Sequence, residues 1–72
     1  MDIDIKTLDL STRAFNCLRY KGIENLNDLE NYTMEDIRAL RNMSAQSFHE
    51  IVGIMYMYGF ELKDFQNYNS FS

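Results

Sequence analysis

The sequence predicts an all-α fold, a compact bundle of four to five short helices. Three observations predict it. Apolar residues recur three and four positions apart over most of the chain, the spacing that puts them on one side of a helix. Serine, threonine or asparagine stands just ahead of those runs, where helix-starting side chains belong. The 72 residues include no proline, and Gly22 and Gly59 fall where apolar runs stop. Connections must therefore be short.

Residues 1–7 form a lead-in arm. Ile3 and Ile5 alternate with Asp2 and Asp4, so this arm reads either as a short extended piece or as a tail frayed into solvent. The first helix starts at Ser11 or Thr12, whose hydroxyl can cap it, with Leu10 packing back. Ala14, Cys17 and Leu18 make its inward stripe, and Phe15 can turn inward too. Arg19 and Lys21 suit its carbonyl end, and Gly22 stops it.

Two short helices follow. Asn25 with Asp28 resembles a capping pair, with Leu26 and Leu29 inward. Thr33 with Asp36 is a better capping box, with Ile37 and Leu40 behind it. Neither would hold in isolation, because so few turns cannot offset nucleation. The last helix is the longest. Ser44 can cap it, and Phe48, Ile51, Val52 and Met55 recur at helical spacing. Gly53 either permits a close helix crossing or merely weakens the helix. Gly59 stops it, and Phe60 and Leu62 fold back as a plug. The domain proper is residues 8–62, and residues 63–72 form a flexible tail in which Phe65, Tyr68 and Phe71 could dock.

Composition excludes several function classes. A sequence this short cannot hold two ordinary domains, and it buries only about 60% of its extended surface. Cys17 is the single cysteine, so no disulfide framework forms within one chain. Cys17 and His49 alone cannot supply a structural zinc site, and three glycines do not make a phosphate cradle. No cofactor is expected. The longest apolar stretches fall far below the roughly 20 residues of a membrane helix. Met1 is followed by Asp2 and Asp4, not by a basic segment and an apolar core. The expectation is a cytoplasmic protein with no membrane partner.

The net charge is −4, which argues against general polyanion binding. The basic residues gather at Arg13, Arg19 and Lys21, then at Arg38 and Arg41. A patch uniting Arg13, Arg19 and Arg41 beside Ser44 would favour nucleic acid. Arg13, Asn16 and Tyr20 share one face of the first helix. That face reads either as an arginine poised for a narrow minor groove or as an ordinary solvated surface. Cys17 reads as a half-buried packing residue. Ser44 and Ser47 could use free N–H groups of the last helix to hold a phosphate, or Ser44 could simply cap. His49 and Glu50, and likewise Glu35 and Asp36, are adjacent and so point apart. No catalytic constellation is present. Met55, Tyr56, Met57 and Tyr58 form a run that suits either a protein-binding surface or the wrapping of a small core.

Two stretches carry a resemblance. The first is Leu8-Asp-Leu-Ser-Thr-Arg-Ala-Phe-Asn-Cys-Leu18. The second is Arg41-Asn-Met-Ser-Ala-Gln-Ser-Phe-His-Glu-Ile51. With their spacing and the closing Tyr58-Gly-Phe-Glu-Leu62, the span from Leu8 to Leu62 resembles the C-terminal domain of the bacterial RNA polymerase α subunit, with its helix-hairpin-helix-like element.

The resemblance implies a non-catalytic transcription module. Such a module binds A·T-rich double-stranded DNA in the minor groove and touches RNA polymerase, σ factor and transcription activators. It implies Arg13 as the groove-inserting arginine, with Asn16 and Cys17 lining the same surface and Ser47 and Glu50 facing it. Ser44 stands where that family has glycine, and Ala45 and Gln46 stand where it has lysines. Ser44, Gln46 and Ser47 would still position the phosphate backbone, with weakened affinity. The alternative is a protein–protein interaction module that kept the fold and lost DNA binding. The net charge, the missing lysines and the Met/Tyr run favour that alternative.

Overall fold

A computed structural model of the protein describes residues 2–65. Helix α1 spans Thr12–Lys21, α2 spans Met34–Arg38 and α3 spans Ala45–Met57. Two 3-10 helices, Ile5–Thr7 and Leu26–Asn31, complete the set. No strand forms among the described residues; one isolated bridge joins Asp4 to Asn25. Helix α3 packs against both α1 and α2.

Local chemistry accounts for most helix ends. Ser11 caps α1, its hydroxyl accepting the Ala14 N–H. Gly22, at φ 89°, ends it. The Ile23 N–H returns to the Leu18 carbonyl and the Gly22 N–H to Arg19. That pair of bonds is a Schellman motif, and a side chain is strained at such a φ. Helix α3 ends the same way. Phe60 donates to Met55 and Gly59 to Tyr56, with Gly59 at φ 83°. Thr33 and Asp36 form the expected reciprocal capping box on α2. The Asp64 carboxylate also accepts the Met34 N–H at 2.8 Å, tying the segment after α3 to the start of α2.

The expected Asn25–Asp28 capping pair does not form. The Asn25 amide makes no capping bond, and the segment is a 3-10 helix. Its flanking backbone is committed elsewhere: the Leu26 N–H donates to Ile3 and the Ile5 N–H donates to Glu24. A three-residue turn sets Leu26 and Leu29 one above the other, and both are buried.

The core joins Ala14 and Leu18 of α1, Met34 and Ile37 of α2, and Phe48, Ile51, Val52 and Met55 of α3. Leu26, Leu29 and Leu62 close it, with Phe60 packed alongside. Fully burying one such side chain contributes about 1.5–3 kcal/mol. Ile5 and Ile23 belong to it as well. The lead-in arm is therefore not frayed. Ile5 is buried, and Asn27 accepts the Ile3 N–H while donating to Asp2. At the other end Phe65 packs on the core and meets the Tyr56 ring at 6.4 Å. Tyr68 and Phe71 lie outside the described residues. Gly53 faces open space, so it permits no close crossing.

Candidate nucleic-acid interface

On α1, Arg13, Asn16, Cys17 and Tyr20 fall at successive spacings of three, one and three, which places them on one side. They line a shallow cleft of about 180 Å³ together with Asn42. Asn42 precedes α3 and holds φ 65° in a turn closed by the Met43 N–H on the Leu40 carbonyl. A positive φ at the third residue of a turn favours glycine or asparagine. Asparagine meets that demand and brings an amide into the cleft. Sequence reasoning gave Asn42 no role; the signal was an asparagine between two helical runs.

The start of α3 supplies the second group. Ser44 caps the helix, accepting the Ser47 N–H at 3.1 Å, and its hydroxyl donates to the Ser47 hydroxyl at 3.0 Å. Its backbone is extended, at φ −114°, so nothing there demands glycine. Ser47 is only 3% exposed, and Ser44 occupies its hydroxyl and its N–H. Gln46 is exposed. The Ala45 and Gln46 N–H groups fall in the first turn, where no carbonyl lies one turn back.

Glu50 joins the two groups. One of its carboxylate oxygens accepts the Ser11 N–H at 2.6 Å and the other accepts the Ser11 hydroxyl at 2.8 Å. This bond fixes the start of α1 on α3, two residues before Arg13.

Charge on this face is set by a few residues. Among the described residues no carboxylate pairs with Arg13 within ion-pair distance. Burial raises the Cys17 thiol, and the Arg13 charge partly offsets that. Arg41 lies over the Tyr20 ring, 5.9 Å from its centroid. The patch of Arg13, Arg19 and Arg41 that would favour nucleic acid does not form in full. Arg19 stacks on Phe15 at 5.5 Å and lines a different cleft with Asp4, Lys6 and Glu24. Position explains this: Arg19 is six residues from Arg13, about 600° around the helix, which is well off the Arg13 side.

The structure thus brings Arg13, Asn16 and Cys17 into one cleft. Ser44, Gln46 and Ser47 cluster at the start of α3, and Glu50 ties α3 to α1. No helix among the described residues is long and apolar enough to cross a membrane.

Residues 1–56 match the family model of the C-terminal domain of the bacterial RNA polymerase alpha chain. The sequence is 42% identical over 53 residues to a DNA-directed RNA polymerase subunit alpha of Chara vulgaris, covering 74% of this chain and 15% of that one. It is 36% identical over 63 residues to the subunit alpha of Heliobacterium modesticaldum, covering 88% of this chain and 20% of that one. The chain therefore spans a fifth or less of the length of these relatives. Among solved structures, it matches the C-terminal domain of the RNA polymerase alpha subunit from Helicobacter pylori with a TM-score of 0.74 at 30% identity. That match covers 83% of this chain and 53% of the other. The family model, the relatives and the shared fold agree, and this chain belongs to the family of C-terminal domains of the bacterial RNA polymerase alpha chain.

Proposed function

We propose that this domain binds A·T-rich double-stranded DNA through the minor groove, with Arg13 entering the groove. The observation that carries this reading is the cleft that unites Arg13, Asn16, Cys17 and Asn42, with no carboxylate paired to Arg13 among the described residues. An unneutralised guanidinium suits the negative potential of a narrow groove. The amides of Asn16 and Asn42 offer donors and acceptors to groove edges. Cys17 is buried beneath them and shapes the floor.

Ser44 and Gln46 would meet the phosphate backbone at the start of α3, which sets register without reading sequence. Ser47 acts by holding Ser44. Glu50 acts by holding Ser11, since both of its oxygens are already engaged. Ala45 and Gln46 carry no charge, so affinity falls below that of a relative with cations there. Specificity follows A·T-rich shape and not a base string, because the minor-groove code is degenerate.

The test is an amide-resolved NMR titration with a short A·T-rich duplex at low salt, repeated with a G·C-rich duplex. Shifts at residues 12–17 and 42–50 that are stronger with A·T support the reading. Arg13→Ala should abolish binding and leave the fold intact. Binding unchanged by that substitution sinks the assignment of Arg13.

A second reading rests on the far end of α3. Tyr56 is 68% exposed and Met57 80% exposed, about 18 Å along the helix from Ala45. Exposed tyrosine and methionine suit a protein partner. In this reading the domain docks on RNA polymerase, σ factor or an activator, with or without DNA. Loss of capture of those proteins on Met57→Ser, with DNA binding unchanged, would support it.

A further inference from the structure

We propose that Arg41, held on the Tyr20 ring, is a second cationic contact to the DNA phosphate backbone, alongside Arg13. The proposal rests on the DNA reading above and assigns a partner to a surface that reading leaves unused.

Two neighbouring clefts carry the argument. Arg13 lines one and Arg41 lines the other, and both clefts are walled by Cys17 and Tyr20. Tyr20 thus lines both clefts, one with Arg13 and the other with Arg41. Tyr20 is 66% exposed, and the Arg41 guanidinium lies 5.9 Å from its ring centroid. A cation resting on an aromatic face loses little hydration and keeps its N–H groups free at the rim. No carboxylate neutralises Arg41 within ion-pair distance among the described residues. In a protein of net charge −4, two such cations flanking one tyrosine are the local exception.

Lys21 lines the same second cleft but is a poorer candidate. Its charge already acts on the Asp36 carboxylate, whereas no carboxylate pairs with Arg41 among the described residues.

The spacing fits a duplex. Seven residues separate Arg13 from Tyr20, about 10 Å along α1. The minor groove is about 6 Å wide. With Arg13 in the groove, the Tyr20 position, whose ring carries the Arg41 guanidinium, lies about 10 Å farther along α1, beyond the width of the groove and toward the phosphates of a flanking strand. Arg41 is then a backbone contact, which adds affinity and salt dependence and leaves base preference unchanged. The first turn of α3 holds no cation of its own; Arg38 lines the cleft beside Ser44 and Ala45, and Arg41 adds positive charge on the Tyr20 side.

The experiment is fluorescence anisotropy of the 72-residue chain with a labelled A·T-rich duplex, and with a G·C-rich one, across a salt series. Arg41→Gln should weaken binding to both duplexes about three- to tenfold at low salt and reduce the salt slope by about one, with the A·T preference kept. Arg41→Lys should restore most of the slope. Amide spectra of both variants should match the wild type, since the side chain is exposed. Binding that depends on Arg13 but has the same affinity and slope in Arg41→Gln overturns this proposal and leaves the DNA reading standing. A loss of A·T preference in Arg41→Gln also overturns it, because that would make Arg41 a groove contact. No binding by the wild-type protein overturns both.

Discussion

Glu50 of α3 receives both the main-chain N–H and the hydroxyl of Ser11, at 2.6 Å and 2.8 Å, although 39 residues separate them. Ser11 is at the same time the cap of α1, accepting the Ala14 N–H. One serine therefore starts the helix that carries Arg13 and anchors it to the helix that Ser44 begins.

Removing that anchor has a measurable cost. Hydrogen bonds to a charged acceptor contribute more than neutral ones, but this pair is exposed to solvent, so Glu50→Ala should cost about 1 kcal/mol. For a domain of this size that lowers Tm by about 4–8 °C. Ser11→Ala loses the cap as well, about another 1 kcal/mol. Because the two side chains share their bonds, the double variant should lose less than the two losses added. Strict additivity in thermal melts would show that Glu50 and Ser11 are not coupled in solution. Hydrogen exchange at the Ser11 amide should also speed up in Glu50→Ala.

Two glycines should respond in opposite directions. Gly53 lies inside α3, and a methyl group added there meets nothing within 4 Å. Alanine loses less backbone entropy than glycine in a helix, so Gly53→Ala should stabilise by about 0.8–1 kcal/mol. Gly22 also faces open space, but its φ is 89°. Gly22→Ala should therefore destabilise by about 1 kcal/mol, from backbone strain alone. Urea titration of both variants reads the two signs. A destabilised Gly53→Ala would mean that a partner or another segment packs on that glycine.

The acid limb of stability should carry the mark of Asp36. Its carboxyl is held below the usual aspartate value, first by the Thr33 N–H and then by the Thr33 side chain, with Lys21 and Lys63 adding attraction. A carboxyl lowered on folding stabilises the native state above its unfolded value, about 3.9. That stabilisation is lost as pH falls through the lower folded value. Asp36→Asn should therefore be less stable than wild type at pH 7, and the gap should close below about pH 4. A gap that stays constant from about pH 7 to about pH 2 would show that the charge of Asp36 does not matter to the cap.

Much of this fold was legible because its signals are local. Ser11, Thr33 and Ser44 stand where helices begin, and Gly22 and Gly59 where they end. The stripe from Phe48 to Met55 needed only its spacing. What stayed hidden depends on partners far away in sequence. Ile5 sits between Asp4 and Lys6 in an alternation too short to fix its fate, and it is buried because Glu24 and Asn25 come back to this arm. Asn25 looks like a cap because its commitment to Asp4 has no local signature. In the candidate interface, Arg13, Asn16 and Tyr20 were legible as one helix face, and Cys17 joined them only through the family resemblance. Asn42 was not legible, because its role depends on a turn, and neither was the bond between Glu50 and Ser11. Charge alone groups Arg19 with Arg13, yet the helix turns it to another side.

Cys17 offers a chemical probe of the same surface. Its thiol is pushed up by burial and pulled back in part by the Arg13 charge. Only the thiolate reacts with an alkylating agent. At about pH 8 the folded protein should therefore be alkylated more than about tenfold more slowly than the protein in denaturant. Arg13→Ala removes the charge that favours the thiolate, so its folded-state reaction should be slower still, provided that burial is unchanged. The rate in each variant should rise with pH as the thiol ionises. A faster reaction in Arg13→Ala would show that the arginine limits access to the sulfur. Its main effect on the cleft would then be to cover the sulfur, and the charge would be secondary. Mass spectrometry of the alkylated protein over a pH series separates these cases, because access scales the rate at every pH whereas charge shifts its midpoint.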